Sequence, residues 1–153
     1  MGVRMSEDDA WAFLEAGHTG ILTTLRRDGW PVSLPIWYVV RDRRVYVGTP
    51  TGSKKVARIR HDDRACLLVE SGEQWIELAA VELPCRATIL EPGPEAEAAS
   101  AGFADKYAAF RPAPTRMPDA TNKHYASQAI IRLDPEGRLL TWDNSRIRLG
   151  SSR

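Results

Sequence analysis

The sequence contains little of what disulfides and metal sites require. Its 153 residues include two cysteines and three histidines, with no CxxC pair and no histidine beside a cysteine. Cys66 and Cys85 both lie in apolar runs that are typical of strands. We therefore expect two reduced, buried thiols and no metal site.

Long apolar runs are absent as well. No segment approaches the roughly 20 apolar residues of a membrane helix, and the first nine residues lack the basic start and apolar core of a signal peptide. We therefore expect a cytoplasmic protein with no membrane partner. The net charge of +1 gives no general attraction to nucleic acid.

Lysine is scarce, because 17 of the 21 basic residues are arginine. Half of the four lysines stand in one dipeptide, Lys54-Lys55.

The length fits one domain, residues 1–153, with a core at about 19–147. An N-terminal helix is predicted at about 7–16, capped by Ser6 and ended by Gly17.

Hairpin signals dominate the rest of the chain. Strands are predicted at Thr19–Leu25, Trp30–Val40, Val45–Thr49, Arg64–Glu70, Gln74–Leu90 (bent near Pro84), Ser127–Leu133 and Leu139–Trp142. Helices are predicted at Lys54–Arg60 and Glu95–Phe110, and Arg111–Asn122, with three prolines, is predicted to be a loop. This order favours an antiparallel sheet that forms a small closed or split barrel.

The segment Gly48–Lys55 joins the end of a strand to the start of a helix. The first turn of a helix leaves backbone N–H groups unpaired and concentrates positive charge there. Hydroxyls of Thr51 and Ser53 and the charges of Lys54 and Lys55 add to these donors, which favours a phosphate site. The alternative is a capped helix start with two solvated lysines, since the pattern is not a Walker loop.

The strand Pro31–Tyr38 contains two prolines, Pro31 and Pro35. They fit a strand only where part of its edge is unpaired. A flat heteroaromatic ring with donors and acceptors along one edge would suit such a strand, whereas a plain edge strand is the alternative. Trp37 and Tyr38 point to opposite faces, so one of them faces the core.

Familiar catalytic patterns are missing. The sequence has neither a G-x-S-x-G elbow nor a G-x-G-x-x-G loop after a strand. No catalytic residue is assigned, although Tyr38 and Tyr125 could by their chemistry donate a proton. A cofactor would then supply the reactivity and the protein its position and electrostatics.

These features together resemble the split-barrel proteins similar to pyridoxamine 5′-phosphate oxidase. The resemblance extends from about Thr19 to Ile147. It rests on the Asp-Gly hairpin, the Pro-x-x-x-Pro-x-Trp strand, the Gly-Ser-Lys-Lys helix start and the late Trp-Asp pair. It implies a mainly β (α+β) fold, a six- to seven-stranded antiparallel split β-barrel with short helices, and a homodimer with cofactor sites at its interface.

The resemblance also implies the cofactor and the residues that hold it. The Pro-x-Trp and Gly-Ser-x-Lys pattern is most similar to the branch that uses coenzyme F420, with FMN as the alternative. The cofactor ring would lie against the main chain of Ser33, Leu34, Pro35, Ile36, Trp37 and Tyr38. The phosphate would lie at Gly48, Thr49, Thr51, Ser53, Lys54 and Lys55, with added charge from Arg58.

The expected activity is a reductase that transfers a hydride between the deazaflavin and a small conjugated or unsaturated substrate. Lys54-Lys55 stands where pyridoxamine oxidases have an Arg-Lys pair, and Ala79-Ala80 near where they use a glutamine. Oxidation of a pyridoxal-type substrate is therefore not expected. The alternatives are an FMN-dependent oxidoreductase of the same fold and a flavin- or haem-binding module without catalysis.

Overall fold

The structure is a computed structural model that describes residues 2–150. Within these residues, four helices and seven strands follow one another as α1 (Glu7–Ala16), β1 (Thr19–Leu25), β2 (Pro31–Arg41), β3 (Arg44–Pro50), α2 (Lys54–His61), β4 (Arg64–Ser71), β5 (Ala79–Ile89), α3 (Pro94–Tyr107), α4 (Asp119–Tyr125), β6 (Gln128–Pro135) and β7 (Leu140–Asp143). All seven strands predicted from the sequence are present.

Six of the strands close into a barrel in which every neighbouring pair is antiparallel. The order around the barrel is β1, β2, β3, β6, β5 and β4, and β4 pairs again with β1. The seventh strand, β7, pairs with Ala79–Glu82 of β5, whereas Cys85–Ile89 of β5 pair with β6. β5 thus exchanges one neighbour for another at Pro84, where we expected a bend. The predicted split-barrel fold is confirmed.

The interior of the barrel is filled by alternate strand residues and by one face of α1 and of α2. Fully buried members of this cluster include Leu14, Leu22, Val47, Val56, Leu67, Leu83 and Leu133. α1 begins where Ser6 Oγ accepts a hydrogen bond from the Asp9 amide and ends at Gly17, as predicted. A side chain at position 17 would collide with the Tyr38 hydroxyl, so close packing also requires glycine there.

A second apolar cluster lies on the outer face of β2, β3 and β6, beneath α3. It consists of Val39, Tyr46, Ala99, Phe103, Tyr107 and Ile130, and Trp37 packs against it. Tyr38 is fully buried in the barrel cluster instead. Trp37 and Tyr38 therefore point to opposite faces, as their positions in the sequence predicted.

Two segments differ from the sequence-based prediction. The segment Arg111–Asn122 is not all loop, because it contains a 3₁₀ turn at Pro114–Arg116 and the start of α4. The Asn122 side chain stabilises this short structure by donating to the Pro114 carbonyl at 2.9 Å. The stretch predicted as one strand from Gln74 starts with another 3₁₀ turn, in which the Glu77 carboxylate accepts from the Gln74 amide at 3.2 Å.

No helix among residues 2–150 combines the length and the apolar character that a membrane span requires. Both cysteines are free thiols. Burial raises the pKa of Cys66 and of Cys85 to about 12, so both thiols are protonated and unreactive at neutral pH.

Candidate functional site

The opening in the barrel lies where β2 and β3 separate. These strands pair from Tyr38↔Val47 to the hairpin turn and no further. Before that point, Pro31–Trp37 pair only with β1. After it, Gly48–Pro50 pair only with β6. The two segments predicted from the sequence to bind a cofactor therefore form the two sides of one opening.

The prolines of β2 are accommodated by the direction of its main-chain groups. The Trp30 carbonyl accepts from the Arg26 amide at 3.0 Å, so even-numbered residues of this strand direct their main-chain groups to β1. Odd-numbered residues direct theirs to the open edge. Pro31 and Pro35 thus lack an N–H only where no strand needs one. The open edge keeps the N–H groups of Ser33 and Trp37 and the carbonyls of Pro31, Ser33 and Pro35.

Side chains along this edge divide into accessible and buried ones. Ser33 and Pro35 are exposed, Leu34 is 43% exposed, and Ile36 is buried. The Ser33 hydroxyl lies 2.7 Å from that of Thr23 on β1. Ile36 and Tyr38, which the sequence analysis included in the ring site, therefore offer a ligand at this edge neither a side chain nor a main-chain group, because their main-chain groups face β1.

The tyrosine at the end of this edge cannot serve as a proton donor. The hydroxyl of Tyr38 donates to the Leu14 carbonyl at 2.6 Å within the core, and burial raises its pKa. Tyr125, the other candidate from the sequence, is 53% exposed on α4. The structure therefore does not support Tyr38 as a general acid.

Ser53 caps α2 and still keeps a hydrogen-bond donor. Its Oγ accepts from the Val56 amide at 3.3 Å and from the Thr49 hydroxyl at 3.1 Å. A serine oxygen has two acceptor lone pairs, and both are used here. The Ser53 O–H proton is therefore free to donate to an anion beside the first turn of α2.

The cations of α2 have no acidic partners. Its first turn contains no acidic residue, and none of the salt bridges within residues 2–150 involves Lys54, Lys55 or Arg58. Lys54 is exposed and Lys55 is half-buried. Burial first, and then the charge of Arg58, lower the pKa of Lys55. A bound anion would relieve this repulsion.

Arg58 is held in place by a residue that the sequence analysis missed. Its Nε donates to the hydroxyl of Thr24 on β1 at 2.7 Å, and Thr24 is 1% exposed. Within the described residues, the terminal nitrogens of this guanidinium donate to no protein acceptor. Strand alternation alone places Thr24 inward, and a polar residue at an inward position was the signal that could have revealed it.

The other predicted residues line the end of β3. Thr49 is 2% exposed and reaches a ligand only through Ser53. The Thr51 hydroxyl lies 2.8 Å from that of Ser127, which precedes β6 and carried no signal in the sequence. A Cβ at Gly48 would meet Phe103 at an ordinary contact distance of 3.8 Å. The packing of the chain itself therefore does not require glycine at position 48.

This arrangement suits a ligand with a flat polar edge and an anionic end. The open edge of β2 supplies alternating main-chain donors and acceptors, and the start of α2 supplies hydroxyl, amide and cationic groups. A separate cavity of about 850 Å³ lies between the residues before α1 and β7. None of the residues that line it belongs to the predicted cofactor set.

The family model described as pyridoxamine 5′-phosphate oxidase matches residues 6–141. The chain belongs to this family. Among curated proteins, the F420H(2)-dependent biliverdin reductase of Mycobacterium tuberculosis (strain CDC 1551 / Oshkosh) is 29% identical over 113 residues, which are 72% of this chain and 78% of that protein.

Solved structures share the fold of this family member. A conserved hypothetical protein from Mycobacterium tuberculosis superposes with a TM-score of 0.78 at 24% identity, covering 98% of this chain and 95% of that one. A heme binding protein from Mycobacterium smegmatis superposes with a TM-score of 0.69 at 21% identity, covering 93% of this chain and 60% of that one. At these identities the similarity extends to the fold alone.

Proposed function

We propose that the protein is a coenzyme F420-dependent reductase. The observation that carries this proposal is the opening between β2 and β3, which joins an unpaired polar strand edge to a helix start rich in cations without acidic partners. The similarity to an F420H(2)-dependent reductase supports F420 over FMN. The chemistry that the coenzyme supplies when bound is hydride transfer to a small conjugated or unsaturated molecule.

The anionic end of the coenzyme is bound at α2. The Ser53 hydroxyl donates one hydrogen bond, and the amides of Lys54 and Lys55, in the first turn of α2, have no intrahelical acceptor and can donate to the same anion. The two ammonium groups and the free nitrogens of Arg58 neutralise the phosphate and the anionic tail. Since α2 has no acidic residue in its first turn, nothing on it competes with the ligand for these cations.

The ring is oriented by the main chain of β2. The N–H groups of Ser33 and Trp37 and the carbonyls between them match the donors and acceptors on the edge of a deazaflavin or flavin. Orientation of the reacting ring is the main contribution of the protein to the rate. No side chain is assigned as proton donor.

A homodimer completes the site. In a single chain the edge of β2 is open to solvent at Ser33, Leu34 and Pro35. A second copy would cover the ring and exclude water from it, which strengthens each polar contact there. The substrate would then enter between the two subunits.

An absorbance spectrum of the purified protein, followed by fluorescence titration with F420 and with FMN, tests the proposal. We expect saturable binding of F420 and F420H(2)-dependent reduction of conjugated small molecules. Stoichiometric FMN with turnover would favour the FMN alternative. A retained haem or flavin chromophore without turnover would contradict the reductase and favour a binding module.

A further inference from the structure

The hydroxyl of Tyr107 lies between the main chains of β1 and β2 where these strands separate. It accepts from the Tyr38 amide at 3.0 Å and lies within donating distance of two carbonyls, that of His18 at 2.7 Å and that of Tyr38 at 2.8 Å. Its ring is stacked on Trp37, with 4.5 Å between the ring centroids. Tyr107 is fully buried. One side chain of α3 therefore fixes the end of the open strand edge.

Lys106 reinforces the same point. Its Nζ donates to the Tyr38 carbonyl at 3.0 Å and lies 4.1 Å from the centroid of the Tyr38 ring. The side chain is partly buried, and no salt bridge within residues 2–150 involves it. Because Lys106 already donates to the Tyr38 carbonyl, the hydroxyl proton of Tyr107 can be donated to the His18 carbonyl. The two side chains together satisfy both main-chain groups of Tyr38.

Peptide geometry links these contacts to the cofactor edge. The Tyr38 N–H and the Trp37 C=O belong to one planar peptide group and point in opposite directions. Because Tyr107 holds the N–H on the β1 side, the Trp37 carbonyl is held toward β3. There it faces the Gly48 amide and accepts the bond that closes the pair Tyr38↔Val47, whose Tyr38 groups face β1. This bond ends the open edge of β2.

We propose that Tyr107 and Lys106 are positioning residues that fix the point where β2 and β3 separate, and with it the end of the strand edge that receives the cofactor ring. The inference rests on the proposed function, because it concerns the same site. Neither side chain needs to touch the cofactor. Both act through the peptide groups on either side of Tyr38.

The surroundings of Lys106 make this role dependent on pH. Burial lowers its pKa to about 8, so it loses its proton within an accessible pH range. A cavity of about 370 Å³ beside it is also lined by Glu15 of α1, Arg41 of β2 and Asp105 of α3. On its other side lie the rings of Tyr38 and Tyr107. A neutral amine donates a weaker hydrogen bond than an ammonium group does.

The first test compares two tyrosine variants by F420 titration. Tyr107→Phe keeps the stack on Trp37 and removes only the hydroxyl, and we expect affinity to fall about fivefold to tenfold. Tyr46→Phe is the matched control, because its hydroxyl bonds Glu95 of α3 at 2.8 Å within the same cluster and touches no β2 main chain. Equal affinity of Tyr107→Phe and wild type would overturn the inference.

The second test compares Lys106→Arg and Lys106→Met with wild type at pH 7 and pH 9.5. Wild-type affinity should fall about threefold to tenfold more than that of Lys106→Arg, because arginine keeps its charge. Burial also lowers the pKa of Lys55, but Lys55 is present in both proteins. Its titration therefore does not change the ratio of their affinities. Lys106→Met should bind weakly at both values of pH.

The outcomes separate this inference from the proposed function. Wild-type protein that binds neither F420 nor FMN overturns both. The positioning role alone is overturned if wild-type protein binds F420 but shows the same loss of affinity between pH 7 and pH 9.5 as Lys106→Arg and no higher affinity at pH 7 than Lys106→Met. Should Tyr107→Phe not fold, the lysine variants decide.

Discussion

At the scale of single residues, the site depends on donors that the fold leaves unused. The amide of Val56 and the hydroxyl of Thr49 occupy both lone pairs of Ser53, which leaves its hydroxyl proton free to donate to a ligand. Lys54 and Lys55 follow it in α2, and neither has a carboxylate partner among residues 2–150. Some arginines elsewhere do form ion pairs, for example Arg86 with Glu136 and with Asp63. What distinguishes the start of α2 is the combination of unpaired lysines with a free hydroxyl donor at the first turn of a helix.

Replacement of Lys54 and Lys55 by alanine tests the phosphate site. We expect F420 binding to weaken by roughly 2–4 kcal/mol, because each charge-assisted bond to a phosphate is worth about 1.5–3 kcal/mol. The free energy of unfolding should change little, because neither lysine forms a salt bridge in the part of the chain that the structure describes. The control is Arg4→Ala with Arg138→Ala, which removes the same charge beside the separate cavity. Unchanged affinity in the lysine variant would place the phosphate elsewhere.

Position 33 tests the main-chain contact to the ring. The Ser33 hydroxyl interacts with Thr23 at the exposed surface, so Ser33→Ala should cost under about 1 kcal/mol of affinity. Ser33→Trp places a bulky group at the open edge and should block the ring. Fluorescence titration of both variants measures the difference. Loss of binding in Ser33→Ala together with retention in Ser33→Trp would contradict a main-chain site.

At the scale of elements, α3 controls the open edge and is itself tied to the barrel by charge. Glu95 in its first turn accepts from Arg132 of β6 at 3.1 Å and from the Tyr46 hydroxyl at 2.8 Å. At its other end, Lys106 and Tyr107 hold β2. The helix thus connects the outer face of β3 and β6 to the peptide groups next to the site.

Glu95→Gln tests this attachment through its pH dependence. The hydrogen bond from Tyr46 first, and then that from Arg132, lower the pKa of Glu95 in the folded protein. A carboxyl with a lowered folded-state pKa stabilises the fold above its unfolded pKa of about 4.3, and this stabilisation is lost as the pH falls. Urea unfolding should show the variant to be less stable at pH 7 and equal to wild type near pH 2.

Glu97→Gln is the matched control for that experiment. Glu97 lies in the same first turn of α3 and shares its helix dipole, but no salt bridge within residues 2–150 involves it. We expect Glu97→Gln to change the unfolding free energy less than Glu95→Gln at pH 7. Equal effects of the two variants would assign the stabilisation to the dipole alone.

At the scale of the whole molecule, one chain leaves apolar surface uncovered. Trp75, Leu78 and Trp142 are between 38% and 60% exposed. The buried Asn144 connects these three residues. Its main-chain amide donates to the Leu78 carbonyl. Its side chain accepts from Trp142 Nε1 and donates to the Trp75 carbonyl. A rigid apolar surface of this kind is typical of a face that a second subunit covers.

Sedimentation equilibrium tests the homodimer. We expect a mass of about twice the 17.1 kDa of the chain at micromolar concentration. Trp142→Arg should shift the equilibrium toward monomer. Ser100→Arg is the control, since Ser100 is exposed on α3 and belongs neither to that surface nor to the open edge of β2. A monomer that still binds its cofactor would contradict the dimer.

Much of this molecule was predictable from local patterns. Strand alternation, the Asp28-Gly29 turn and the caps at Ser6 and Ser53 depend on neighbours a few residues apart, so the first two helices and all the strands but β5 agree with the structure within one or two residues. The predicted start of β5 at Gln74 is wrong, because a 3₁₀ turn precedes Ala79. Gly29 has a φ of +82°, as that turn requires. The start of α4 was missed because its stabilising contacts come from the Asn122 side chain rather than from an apolar periodicity.

The sequence by itself determined that two prolines interrupt β2 and that half of the lysines start α2. Only the tertiary structure decided that these features face one another, because β2 and β3 separate after Tyr38↔Val47. It also placed Tyr107 against Tyr38, 69 positions earlier in the chain, and Arg58 against Thr24, 34 positions earlier. Local patterns specify elements through neighbouring residues, whereas the closure of a barrel brings distant side chains to one edge.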